Sequence, residues 1–230
     1  GDKEYILERI VKELNVQFNT RKQLLLKTLY AYIANSSTLD DLDCFSMFGT
    51  NSFNLVWEKV CAEVMDNQLQ KPIGGLRLPV PLAEQYRDMR HKKLIDLIDK
   101  PQWAGTAPKG EPFVKQAEDT LIPDLISIVD VDGDYQFIIS DAKYYNIQLE
   151  HNKKLRGQPG IESITKQYLY QLAYQPFVEA HQIHTVKNCF LMPTSVSEVV
   201  PKGVVSLEML QNLGLQDIQI RLLPASVLYK

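Results

Sequence analysis

The chain has 230 residues, of which 45% are hydrophobic and 23% charged. That is enough apolar content for a core and too much for a disordered segment. With 25 Lys and Arg against 28 Asp and Glu, the formal net charge is -3, which excludes a uniformly basic nucleic-acid coat and confines any DNA contact to local patches.

Residues 3–14 carry Tyr5, Ile6, Ile10, Val11 and Leu14 at helical spacing. A second amphipathic helix is expected over 20–34, with Thr20 as its N-cap. Asn35-Ser36-Ser37 reads as a loop. Together these helices form an extension over residues 1–46, ahead of a main domain over 47–230. A third helix is expected over 52–66, with Phe53, Trp57, Val60, Cys61 and Val64 on one stripe. Residues 71–113 are dense in Pro and Gly and read as a long, loop-rich insertion. Residues 121–131 and 135–145 are apolar and β-rich. A long helix follows over 162–180, then strands over 186–193, 203–210 and 217–223. This order predicts an α/β fold, a mixed sheet flanked by helices.

Cys44, Cys61 and Cys189 stand far apart with no Cys-x-x-Cys pair. The spacing argues against a structural zinc site or an iron–sulfur cluster, and for buried thiols in a reducing, cytoplasmic setting. No apolar run reaches the length of a membrane span, so no membrane contact is expected. A chain that opens on Gly1 is expected to be a processed or excised piece of a longer parent.

The sharpest chemical signal is a hairpin. Asp132-Gly133 between two strands favours a two-residue type I′ turn, which needs positive φ at both positions. Val131 then opposes Asp134, and counting back along both strands puts Asp124 opposite Asp141. Their Cβ atoms would be roughly 4.5–5.5 Å apart. Because side chains alternate, Lys143 shares the face of Asp141. Two carboxylates held directly opposite each other destabilise a sheet unless a cation offsets the repulsion, and paired carboxylates suit Mg2+, with Mn2+ as a substitute. Such an ion would activate water and polarise a phosphoryl oxygen, with Lys143 placing the water or steadying the developing charge.

Pro123-Asp124, a gap, then Asp141-Ala142-Lys143 resembles the signature of the PD-(D/E)XK nuclease superfamily. The resemblance implies a metal-dependent phosphodiesterase built on a mixed sheet, with a further acidic residue from a preceding helix. Glu58 matches that position, and Glu63 is the other candidate. The family often carries Lys or Gln on the helix after the second strand. Here Gln167, Tyr170, Gln171 and Tyr174 form one stripe, flanked by Lys166, and they are expected to face DNA. More narrowly, Phe48-Gly49-Thr50-Asn51-Ser52-Phe53, Val56-Trp57-Glu58-Lys59-Val60-Cys61 and Ser140-Asp141-Ala142-Lys143-Tyr144-Tyr145 resemble the LlaJI-type restriction endonucleases, which are similar to the nuclease subunit of McrBC systems. That implies a bacterial enzyme cutting double-stranded DNA beside an AAA+ GTPase motor subunit. GTP would then be the partner's ligand, since no GxxxxGK[ST] loop occurs in this chain. A homodimer is the expected route to double-strand cleavage. The alternatives are a repair or recombination nuclease of the RecB-like branch, and a silent DNA-binding module with a nuclease fold.

Two basic clusters stand out. Arg87, Arg90, Lys92 and Lys93 form one; Lys153, Lys154 and Arg156 form the other and are the better DNA contact, because they closely follow Lys143. Residues 117–141 hold seven acids and no Lys or Arg, which predicts DNA binding that improves with divalent ion. Asp130 to Asp134 looks like a calcium loop but lacks helical flanks and the final Glu. His181 and His184 have no evident carboxylate partner and are not expected to form a catalytic pair.

Overall fold

The computed structural model describes residues 2–16, 20–35 and 53–229. The chain divides into two compact units, Gly1–Asn51 and Ser52–Lys230. In the first, helices α1 (Asp2–Val16) and α2 (Thr20–Asn35) lie where helical spacing predicts them, with Ile10 buried and the Lys3 ammonium donating to the Ala34 carbonyl. The expected boundary after residue 46, the loop at residues 36 and 37, the capping side chain of Thr20, Cys44 and the stretch from Phe48 to Ser52 lie outside the described residues.

The second unit is a mixed α/β fold. Helix α3 (Phe53–Val64) opens it. A two-stranded ribbon, β1 (Gln102–Thr106) with β2 (Pro112–Gln116), stands apart from a five-stranded sheet. The sheet comprises β3 (Leu125–Val131), β4 (Asp134–Ala142), β5 (Thr185–Thr194), β6 (Val200–Val205) and β7 (Ile218–Pro224), ordered β3-β4-β5-β7-β6. The central pairs β4–β5 and β5–β7 are parallel, and the outer pairs are antiparallel. Helix α4 (Ile161–Ala180) connects β4 to β5 as the crossover that a parallel pair requires. The short helix α5 (Ala225–Leu228) follows β7.

Each face of the sheet is covered. On one face Tyr170, Tyr174 and Phe177 of α4 pack against Ile126, Ile128, Phe137 and Ile139. On the other, Trp57 and Cys61 of α3 pack with Leu125, Ala142, Cys189 and Leu191. Successive residues of β4 therefore divide between the two layers, as the pleat requires. Only part of the α3 stripe is inside: Trp57 and Cys61 are buried, whereas Phe53 and Val64 are exposed.

One sequence expectation is corrected, and residues 71–113, expected to be loop-rich, contribute to the core. Short 3-10 turns at Ile73–Gly75, Glu84–Met89 and Leu94–Leu97 deliver Ile73, Tyr86, Leu94 and Ile98 into the same cluster as α4. Isolated apolar anchors on turns show no period, so the segment looks like loop. The corrected expectation is the Gln/Tyr stripe of α4, which is the reverse of what its polarity suggested. Gln167, Tyr170, Gln171 and Tyr174 are all buried against the sheet, and Leu169 and Leu172 face solvent. These polar side chains reach partners inside: Gln167 Nε2 donates to the Ile139 carbonyl at 2.7 Å, Tyr170 Oη to the Ile122 carbonyl at 2.9 Å and Tyr174 Oη to the Leu94 carbonyl at 3.2 Å. Burial of a hydrogen-bonded group carries little penalty.

Candidate active site

The hairpin turn has the conformation that its sequence demands. Asp132 and Gly133 have φ of 52° and 88°, and Val131 pairs with Asp134. The register continues without a break to Leu125 opposite Ser140. One step further brings Asp124, just ahead of β3, opposite Asp141 near the end of β4. The side chain of Asn67 fixes this corner. Its Oδ1 accepts the Leu69 and Ile126 amides, and its Nδ2 donates to the Asp124 carbonyl at 3.2 Å. Beside it the Gln68 amide donates to the Ile126 carbonyl at 2.7 Å, and Gln68 Nε2 donates to the Ile128 carbonyl at 3.2 Å. These groups pair the outer edge of β3 and hold Asp124 in place.

Three charged side chains converge here. Asp124 Oδ2 accepts the Ala142 amide at 2.8 Å. Lys143 Nζ donates to Asp141 Oδ1 at 2.7 Å. The carboxyl groups of Asp124 and Asp141 lie within hydrogen-bonding reach of each other. Burial, followed by the hydrogen bond and charge of Asp141, pushes Asp124 up to about 8, against the opposing pull of the Ala142 amide and Lys143. Burial draws the Lys143 ammonium down, but its hydrogen bond to Asp141 and the charges of Asp141, Asp124 and Tyr145 outweigh that and hold it above the ordinary lysine range. The pair therefore holds a proton more tightly than an ordinary carboxyl does, and the ammonium form of Lys143 is favoured.

The lysine is fixed by its backbone too. The Lys143 amide donates to the Leu191 carbonyl at 2.9 Å, and the Trp57 indole donates to that same carbonyl at 3.0 Å. This contact ties α3 to the strand ends that carry the charged trio. Glu58, one residue along α3, is half-buried. Its charge and that of Asp124 both reach the Cys61 thiol, which burial first of all pushes up to about 12. Glu63, by contrast, is exposed. Among the described residues, no three of the His, Cys, Asp and Glu side chains are gathered as a metal shell. The acidic pair itself is a hard-oxygen donor set whose mutual repulsion a divalent cation would relieve, so these residues fit such an ion in chemical kind.

The expected DNA-contact residues divide. Lys166 is partly exposed at the start of α4 and pairs with Glu162 at 2.6 Å. The Lys143 charge also reaches Glu162, behind the larger effect of Lys166, which places this turn of α4 near the charged trio. Lys153 pairs with Glu150 at 2.7 Å, and Lys154 and Arg156 are exposed on the same loop. That loop folds back tightly, because a Cβ on Gly157 would sit 2.2 Å from the Asn146 carbonyl oxygen and Gly157 has φ of 65°. Gln167, Tyr170 and Gln171 are buried and cannot reach DNA without unpacking α4. His181 is structural. It is fully buried, stacks on Phe177, and its Nε2 accepts the Ala83 amide at 3.1 Å.

Among the described residues no helix is long and apolar enough to cross a membrane. The family model for the LlaJI restriction endonucleases matches residues 1–79 and 85–222. The BsuMI component YdjA of Bacillus subtilis (strain 168), a type II restriction enzyme component, is 31% identical over 189 residues, covering 82% of this chain and 34% of the relative. The chain therefore spans about a third of the length of that curated relative. No solved structure matches.

Proposed function

The chain belongs to the LlaJI restriction endonuclease family, and on that premise we propose that it is the metal-dependent nuclease part of a restriction system, cutting double-stranded DNA with Asp124, Asp141 and Lys143. The observation that carries this reading is the convergence of Asp124 and Asp141 on one another, with Lys143 hydrogen-bonded to the second at 2.7 Å. The trio also resembles the signature of the PD-(D/E)XK superfamily.

Asp124 and Asp141 would hold Mg2+, or Mn2+ in its place, and Glu58 would support the shell from α3. When bound, the ion supplies charge neutralisation and Lewis acidity toward a phosphodiester. Asp124 would bring its carboxylate into use by losing the proton that the pair retains. Lys143, held as an ammonium, would donate to a non-bridging phosphoryl oxygen or to the attacking water and so stabilise the charge that develops. Water then adds to phosphorus as the P–O bond to the leaving strand breaks, and a proton ends on that leaving oxygen. Lys154 and Arg156 would hold the flanking backbone. We assign GTP use to a separate motor subunit of the McrBC kind, and double-strand scission to two copies of this site.

The test is cleavage of supercoiled plasmid by the purified chain with Mg2+, with Mn2+ and with chelator, beside Asp141→Ala and Lys143→Ala. Nicking or linearisation only with metal, and loss in both variants at unchanged thermal stability, is expected. A variant that cuts like the wild type would refute the assignment.

A further inference from the structure

The β1–β2 ribbon carries exposed aromatic surface. Every residue on it except Gly105 is exposed, Trp103 at 69% and Phe113 at 43%. Single exposed apolar residues are ordinary, and what matters here is whether the two rings form one continuous face. The register pairs Trp103 with Lys115 and Gly105 with Phe113, and alternation puts these four on one face.

The face is built rather than incidental. A Cβ on Gly105 would lie 2.7 Å from Phe113 Cζ, so only glycine lets the Phe113 ring lie flat across β1. The Lys115 ammonium sits 5.8 Å from the centre of that ring. The result is a platform of two open rings with a cation on it. Lys109 stands at the tip, in a turn closed by the Gly110 amide donating to the Ala107 carbonyl at 2.8 Å, and Lys100 stands at the start of the ribbon. From residue 100 to 117 there are three lysines and one acid, Glu111; the acids Asp99, Glu118 and Asp119 are kept to the base.

The base is tied off by the Ala117 amide donating to the Pro101 carbonyl at 2.8 Å and Thr120 Oγ1 donating to the Asp99 carbonyl at 2.6 Å. The chain leaves this tie and reaches Asp124 a few residues later. Strands of this size are about 17 Å long, and a DNA major groove, about 12 Å wide, admits a two-stranded ribbon.

We propose that this ribbon is a DNA-groove probe: it lays the Trp103–Phe113 face against bases of the duplex flanking the cut, with Lys109 and Lys115 on phosphates. The inference rests on the nuclease reading above for its ligand. Lys100, Lys109 and Lys115 against the single acid Glu111 complement a phosphate backbone, and that is the occupant to which the proposal commits.

Trp103 provides the probe, because the other tryptophan, Trp57, is fully buried. The full chain is titrated with a short mixed-sequence duplex in calcium buffer, with acrylamide quenching of tryptophan emission, beside Trp103→Phe to identify the Trp103 signal. DNA should shield Trp103 from acrylamide. Trp103→Ala should weaken binding about tenfold, the loss expected for one base-edge contact in a groove, and Lys109→Ala should lower the salt slope by about one, both at unchanged melting temperature and calorimetric Mg2+ binding. If DNA binds but Trp103 stays accessible and Trp103→Ala binds like the wild type, the ribbon proposal fails and the nuclease reading stands. The ribbon proposal fails equally if a co-purifying protein shields Trp103 and DNA does not. A chain that neither binds nor cuts DNA would overturn both.

Discussion

The Ala142 amide donates to Asp124 Oδ2 at 2.8 Å, so the first carboxylate of the acidic pair is anchored to the strand that presents the second. One oxygen of Asp124 is thereby committed to the backbone, and Lys143 engages one oxygen of Asp141. The remaining oxygens are the groups through which the pair can meet an ion.

Substitution at the pair should separate chemistry from folding. Asp141→Asn removes a charge but keeps the shape, and should abolish cleavage and calorimetric Mg2+ binding while leaving the circular dichroism melt within a few degrees. Lys143→Met should lower the single-turnover cleavage rate by roughly 100-fold or more, with Mg2+ binding retained.

The metal-free protein should lose stability as pH rises. Asp124 is pushed up to about 8 from the ordinary 3.8, so between those values the folded state holds a proton that the unfolded state has released. Its contribution is complete below about pH 4 and fades as pH rises toward 8. In chelator, Tm should fall over that interval. Asp124→Asn keeps an acceptor for the Ala142 amide and should flatten the slope; an unchanged slope in the variant would show that Asp124 does not cause it.

His181 should act in the opposite direction. Burial lowers it, outweighing the Phe177 carbonyl that favours its charged form. The unfolded state then takes up a proton more readily, so the stability that neutral His181 contributes is present above about pH 6.5 and is lost as pH falls. His181→Phe should remove that acid sensitivity but leave the Ala83 amide unpaired, destabilising by about 1–3 kcal/mol. A melt series from pH 5 to 8 reads both effects.

Gln171 separates burial from DNA contact. Its Oε1 accepts Asn188 Nδ2 at 2.7 Å and the Gln216 amide at 2.9 Å. Gln171→Leu should destabilise the fold by about 1–3 kcal/mol without changing DNA affinity. Lys154→Ala combined with Arg156→Ala should do the reverse, lowering the salt dependence of DNA binding by about two counterions at unchanged Tm.

These contrasts mark where the sequence was informative. Asp132-Gly133 specifies a turn with two positive φ angles, and a fixed turn sets the register along both strands; hence the facing of Asp124 and Asp141 was legible from residue order. The inward face of α4 was not, because a helix is ordinarily oriented by its apolar side, and Gln167, Tyr170 and Tyr174 reach carbonyls on distant segments that no local pattern reveals. Residues 71–113 hid their core anchors for a related reason: Ile73, Leu94 and Ile98 act singly from turns. The β1–β2 ribbon also escaped notice, because both its faces meet solvent and its strands show no alternation of apolar and polar residues.

The pairing of Asn67 and Gln68 with β3 has a consequence for assembly. Four hydrogen bonds from these two residues occupy the half of that rim nearest the acidic pair. A second molecule therefore cannot zip onto the sheet there without displacing them, and that half of the rim is closed to the runaway strand-on-strand stacking that bare sheet borders invite. Two copies acting on opposite strands of one duplex would have to meet through other surfaces.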